Sequence, residues 1–114
     1  MARYLLSALI TPFPPTENKA TFEIERISLP TAKRWVEEGF VSAVGHESTA
    51  SLLATLLGVE VPVNRVQVFL KPNDEALAVQ FLVRLQEGQV LTLHQLVQLY
   101  DEGKIQFVLI RRLV

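Results

Sequence analysis

Two segments of the chain, YLLSALI (residues 4–10) and IQFVLI (residues 105–110), are apolar on both faces. A strand of this kind must be covered on both sides, as the inner strands of layered sheets are. The chain has 114 residues, which is enough for one hydrophobic core and no more. We therefore predict a single domain over residues 1–114, built around a sheet that contains these two strands.

The remaining elements follow from the periodicity of apolar side chains. Alternation of apolar and polar residues predicts strands at 21–28, 64–70 and 76–84, with a short extended piece at 40–45. Apolar residues at helical spacing and stop signals predict helices at 29–39, 47–57 and 92–103. The Thr92–Gln95 pair forms a capping box, and glycines follow each helix. The fold class predicted is α+β, a mixed sheet of about five strands covered by about three helices.

Composition and charge exclude several classes of function. The formal net charge is −1, so the chain has no overall field to attract long nucleic acids, and any anion site must be local. Cysteine is absent, which excludes disulfides and thiolate sites, and two histidines 48 positions apart make poor metal ligands. No apolar run reaches the roughly 18 residues of a membrane span, and the apolar start lacks a convincing signal cleavage site. We predict a cytoplasmic protein without metal, cofactor or membrane partner.

The segment VGHEST (residues 44–49) comes directly before a leucine-rich helix. One interpretation makes His46 a helix cap or a donor to a nearby carbonyl group. The other uses the free N–H groups and the positive dipole end of the helix, which suit a phosphate. Gly45 would then let a ligand approach the backbone, Ser48 and Thr49 would donate hydroxyls, and His46 would protonate a leaving oxygen.

A second group of polar residues lies in QFLVRLQEG (residues 80–88). If the strand extends to Arg84, Gln80 and Arg84 project from the same face, where Arg84 can bind a phosphate and Glu87 can orient a ribose hydroxyl. The alternative is an exposed Arg–Glu pair of little energetic value. The pair Asn64-Arg65, just before a predicted strand, is ambiguous in the same way. We interpret three other cations as ordinary surface charge: Lys104, Arg111 and Arg112.

Three stretches together resemble one small family. In order they are VGHESTASLLATLLG, NRVQVFL and AVQFLVRLQEGQVLTLHQLVQLYDEGKIQFVLI. In order and spacing they are similar to the viral type III anti-CRISPR ring nucleases and their cellular counterparts, a crenarchaeal-virus-type domain. The resemblance covers residues 41–110 well and the first ten residues weakly.

The resemblance implies a homodimer that binds cyclic tetra-adenylate and cleaves it without a metal to linear di-adenylates with 2′,3′-cyclic phosphate ends. This reaction would switch off type III CRISPR signalling, in the host cytoplasm if the protein is viral. By residue, His46 matches the general acid and Glu87 the supporting glutamate. The positions matched to ligand contacts are Arg84, Gln80, Arg65, Gly45, Ser48, Thr49, Ser7 and Thr11. Ser7 stands where many members have asparagine.

Two other functions remain open on the sequence. One is a module that captures a cyclic oligoadenylate without cutting it, as a sponge or sensor. The other is a structural or protein-interaction domain on the same fold. A retained acid at His46 and a retained Glu87 favour the enzyme. Size favours the dimer, because one small domain has little room to enclose a four-nucleotide ring.

Overall fold

A five-stranded mixed sheet forms the centre of the protein. The computed structural model describes residues 1–84 and 90–114. The strands are β1 (Arg3–Leu6), β2 (Phe22–Ile27), β3 (Val41–Ser42), β4 (Glu75–Phe81) and β5 (Ile105–Arg112). Their order in the sheet is β2-β5-β4-β1-β3. β1 runs parallel to β3 and β4, and β5 runs antiparallel to β4 and β2. The predicted α+β class is confirmed.

Three helices cover one face of this sheet: α1 (Leu29–Glu37), α2 (Glu47–Leu57) and α3 (Leu93–Asp101). The capping box that opens α3 is complete. The hydroxyl of Thr92 accepts from the amide of Gln95, and the side chain of Gln95 accepts from the amide of Thr92. Gly58 ends α2 with φ 72°, a conformation that favours glycine. The helices share one buried cluster with sheet residues such as Leu5, Leu77 and Phe107. None of the helices in the described part of the chain is long and apolar enough to cross a membrane.

The other face of the sheet is covered by the segment before β4 rather than by a helix. Val68 and Leu70 are buried there against Leu6, Ala78 and Ile110. We predicted a strand at 64–70, and this prediction is wrong, because the segment has no strand partner. Apolar and polar residues do alternate in this segment, but the alternation reflects one buried side and one exposed side of an irregular chain. The amide of Leu70 instead donates to the carbonyl of Pro12 (2.9 Å).

Two strands are shorter than the sequence predicted. β1 ends at Leu6 instead of residue 10, and Leu9 and Ile10 are 37% and 50% exposed. β4 ends at Phe81 instead of residue 84. Arg84 therefore lies beyond the strand, so its alignment with Gln80 on one pleated face does not hold.

Charged side chains at the amino ends of β1 and β4 form an ion network around Glu75. One carboxylate oxygen accepts from Arg3 Nη1 (2.9 Å) and Trp35 Nε1 (3.2 Å), and the other accepts from Arg111 Nε (2.9 Å). Arg111 also pairs with Glu23. Burial acts to raise the pKa of Glu75, but the hydrogen bonds from Arg111 and Trp35 and the charges of Arg111 and Arg3 outweigh it and hold the pKa below its ordinary value.

Arg112 is not a surface charge, so that prediction is wrong. Only 3% of its surface is exposed. Its guanidinium donates to the carbonyl oxygens of Leu70 (2.7 Å) and Val114 (3.2 Å) and is paired with Glu17. Burial is tolerated because carbonyl groups and a carboxylate replace the water around the cation.

Candidate functional site

The carboxyl ends of β1, β3 and β4 meet at one edge of the sheet. Leu5 pairs with Ser42, and Leu6 pairs with Ala78, so the residues after each strand leave the sheet at the same edge. The half-buried residues Ser7 and Gln80 lie at this edge. Ligands of open sheets with parallel strands usually bind at such an edge. The geometry thus brings Ser7, Gln80 and the VGHEST segment to one end of the molecule.

Helix α2 begins at this edge, and its first amide groups have no partner within the helix. His46 occupies the N-cap position (φ −120°, ψ 131°), but its imidazole makes no capping hydrogen bond. Its carbonyl accepts the first intrahelical bond, from Ala50 (3.0 Å). The amides of the three intervening residues have no partner within the helix. His46 and Ser48 are exposed, and Thr49 is half-buried. The exposed side chains of His46 and Ser48 therefore lie beside N–H groups that have no partner within the helix.

Arg65 lies against Gly45, directly before the histidine. Arg65 Nη2 donates to the carbonyl of Gly45 (3.4 Å). A Cβ atom placed on Gly45 would be 3.4 Å from both Cγ and Nε of Arg65. The arginine side chain thus rests on the glycine backbone and remains exposed to solvent. The structure brings a cation to the amino end of α2 from a residue 20 positions away in the sequence from Gly45.

Ser42 and Asn64 hold this arrangement together; the sequence indicated no role for Ser42, and it left Asn64 as ambiguous as Arg65. The hydroxyl of Ser42 donates to the carbonyl of Pro62 (2.6 Å), and the side-chain amide of Asn64 donates to the carbonyl of Ser42 (2.6 Å). The backbone amide of Asn64 donates to Val44 (2.8 Å). The position of Asn64 beside Arg65 was the only available signal in the sequence.

The other predicted site residues are placed differently. Arg84 is exposed and lines a cavity of about 370 Å³ with α3 side chains, including Gln95, Gln98 and Glu102. No described hydrogen bond or ion pair joins Arg84 to His46 or Arg65. Thr11 is exposed in the segment after β1. Glu87 lies outside the described residues.

Acidic and histidine side chains are not grouped in a way that would bind a metal ion. Within residues 1–84 and 90–114, no three His, Asp or Glu side chains are close enough to share one ion. Glu47 adds one carboxylate to the first turn of α2. The other polar groups there are hydrogen-bond donors and one cation. They suit an anionic ligand.

Comparison with known proteins gives relatives in viruses of archaea. The chain is 50% identical to the uncharacterized protein ORF117 of Acidianus two-tailed virus, over 77% of this chain and 76% of that protein. It is 37% identical to the uncharacterized protein 26 of a Sulfolobus islandicus filamentous virus, over 84% and 82%.

A solved structure agrees with this relationship. B116 of Sulfolobus turreted icosahedral virus (STIV) superposes with a TM-score of 0.78 at 30% identity, covering 96% of this chain and 98% of that one. The model of the family described as STIV B116-like matches residues 3–108, which include every described strand and helix before β5 and the first half of β5. The chain belongs to the STIV B116-like family.

Proposed function

We propose that the protein is a metal-independent ring nuclease that binds cyclic tetra-adenylate between two copies of the chain and cleaves it. The observation that carries the proposal is the amino end of α2. An exposed imidazole at His46 is flanked there by free helix amides and by the guanidinium of Arg65. The motif resemblance described above supplies the identity of the ligand.

The site is suited to bind a phosphodiester group of the ring. Free amides at a helix N-terminus and hydroxyls from Ser48 and Thr49 can donate to the phosphate oxygens. Arg65 adds a positive charge, and arginine matches the geometry of two phosphate oxygens. Ser7 and Gln80, at the same edge of the sheet, are placed to contact the ribose or adenine of a neighbouring nucleotide.

The chemistry requires one proton donor and good alignment. The ribose 2′-hydroxyl attacks the adjacent phosphorus in line and loses its proton to solvent, while the bond from phosphorus to the 5′-oxygen breaks. His46 gives a proton to that 5′-oxygen, which leaves a 2′,3′-cyclic phosphate and a free 5′-hydroxyl. Arg65 and the helix amides stabilise the additional negative charge of the transition state. The resemblance assigns Arg84 and Glu87 to the same site.

A homodimer accounts for the symmetry of the ligand and the products. A two-fold axis through the centre of the ring would place one His46 from each chain at opposite phosphates. Cuts at both positions would release two identical di-adenylates. The proposed dimer would also cover apolar side chains that one copy leaves exposed, including Ile10 (50%) and Val66 (48%).

One experiment tests the proposal directly. The protein is incubated with cyclic tetra-adenylate in EDTA, and the products are identified by mass spectrometry. We expect linear di-adenylates with cyclic phosphate ends from the wild type. His46→Ala should lower the single-turnover rate by about 100-fold or more while leaving binding nearly intact.

The chain offers a matched control for this variant. His94 is its only other histidine, and it is exposed in the first turn of α3. His94→Ala should cleave like the wild type. If the wild type binds the ring tightly without cleaving it, the protein is a capture module and not an enzyme. Absence of binding would refute both.

A further inference from the structure

The end of β3 and the residues that follow it are hydrogen-bonded to the segment 62–65. Ser42 Oγ donates to Pro62 and accepts from the amide of Val44 (3.3 Å). Asn64 returns two bonds, from its backbone amide to Val44 and from its side-chain amide to Ser42. We call Ser42 and Asn64 the clamp. Ser42 is only 6% exposed, so its hydroxyl and carbonyl depend on these partners.

The clamp is the attachment nearest to Arg65 in the segment that carries it, since the buried Val68 and Leu70 lie further along the chain. Residues 61–70 lie in no strand or helix, and Arg65 is exposed. Among the described residues, the one backbone bond made by an amide between Asn64 and Leu70 is the local one from Val66 to Asn64 (3.1 Å). The position of the arginine beside Gly45 therefore depends on the residue directly before it.

A held arginine binds a phosphate better than a free one. An unrestrained arginine loses rotamer and backbone freedom when it binds, and this loss weakens the affinity. In this protein the backbone on both sides of the contact, at 44 and 64, is hydrogen-bonded before any ligand arrives. The side chain already rests on Gly45, one residue from His46.

We propose that Ser42 and Asn64 are positioning residues that act on the ligand through Arg65. This inference rests on the proposed function for the identity of the ligand. Ser42 and Asn64 hold Arg65 next to the amino end of α2. Neither of the two residues has another chemical role in the proposed site. Neither residue needs to touch the ligand.

A double-mutant cycle separates this role from general structural support. Asn64→Ala removes the bond to Ser42 but keeps the backbone amide that donates to Val44. Affinity for cyclic tetra-adenylate is measured by calorimetry for the wild type, Asn64→Ala, Arg65→Ala and the double variant. We expect Asn64→Ala to weaken binding about 10-fold and the double variant to bind no worse than Arg65→Ala. If the fold-losses of affinity in the two single variants multiply in the double variant, Asn64 does not act through Arg65 and the proposal is refuted.

Kinetics and a conservative substitution give a second test. At saturating ring, the cleavage rate of Asn64→Ala should fall no further than that of Arg65→Ala, because Arg65 also stabilises the transition state. Ser42→Ala should behave like Asn64→Ala, whereas Ser42→Thr keeps the hydroxyl and should restore binding. Asn18→Ala, at an exposed position, is the control. A Ser42→Thr variant that binds as weakly as Ser42→Ala would overturn the proposal.

A measurement without the ring keeps this inference distinct from the proposed function. The order parameter of the Arg65 Nε–H group is measured by NMR relaxation in the free protein. It should fall in Asn64→Ala and remain unchanged in Asn18→Ala. An unchanged value in Asn64→Ala refutes the clamp even if the ring binds. A wild type that does not bind the ring refutes the proposed function. In that case the order parameter alone tests whether the clamp restrains Arg65.

Discussion

The ion network at Glu75 predicts a large loss of stability from a change of one atom. Glu75→Gln keeps the shape of the side chain but replaces an acceptor oxygen with an NH₂ group. Whichever way the amide turns, either Arg111 or the pair Arg3 and Trp35 loses its acceptor. One lost hydrogen bond to a charged group costs about 1.5–3 kcal/mol. The side chain of Arg3 is 17% exposed, so solvent replaces little of the lost charge, whereas Arg111 is 40% exposed.

We therefore expect Glu75→Gln to lower the free energy of unfolding by about 2–3 kcal/mol at pH 7. At about 4 °C per kcal/mol for a domain of this size, Tm should fall by about 8–12 °C. The assay is thermal unfolding followed by circular dichroism. The control is Glu23→Gln, which changes the same charge on the same network at a side chain that is 51% exposed. It should cost about 0.5 kcal/mol or less.

The pH dependence gives the refuting result. Because the folded pKa of Glu75 lies below the reference value of 4.5, its carboxylate stabilises the folded protein fully above that value. The contribution is lost as the pH falls from 4.5 through the folded pKa. The difference in Tm between wild type and Glu75→Gln should therefore be constant from pH 8 to 6 and shrink in acid. A difference that persists at pH 3, or equal effects of the two variants, would refute the reasoning.

Three further outcomes are expected. Light scattering should give a dimer before any ligand is added, and titration should give one cyclic tetra-adenylate per dimer; a monomer with one ring per chain contradicts the proposed symmetry. Arg84→Ala should weaken binding and slow cleavage together, since its charge would act in ground and transition states alike, and unchanged affinity in calorimetry would place Arg84 outside the site. Thr92→Ala should lower the free energy of unfolding by about 1 kcal/mol in urea titration, because it removes the side-chain half of the capping box; no change would show that the cap is dispensable.

Local signals made much of the fold predictable. Leucines at helical spacing followed by Gly58 gave the bounds of α2, and Thr92 with Gln95 marked the start of α3. These features depend on residues within one or two turns of each other, so the sequence contains all the necessary information.

Features that depend on distant partners were not predictable. Val68 and Leu70 alternate as a strand would, but alternation reports only which side chains are buried and not where backbone groups bond. Arg112 appeared to be surface charge because its partners, Leu70 and Glu17, are far away in sequence.

The same distinction between local and distant contacts applies to the candidate site. Gly45, His46, Ser48 and Thr49 are contiguous, so the sequence was enough to group them. Their contact with Arg65 and the bonds between Ser42 and Asn64 require chain segments about 20 residues apart to meet. A single sequence does not show which distant segments meet. The resemblance included Asn64 and Arg65 in the stretch NRVQVFL, but it gave no reason to connect Asn64 with Ser42.

The place of β5 in the sheet determines when folding can be completed during synthesis. β5 is the last strand in chain order, yet it lies between β2 and β4 and pairs with both. Until it has been made, β2 has no neighbouring strand, and one edge of β4 is open. Open edges of this kind pair readily with other chains. On the ribosome, the two strand edges that β5 covers in the folded protein therefore stay unprotected until the residues of β5 have emerged.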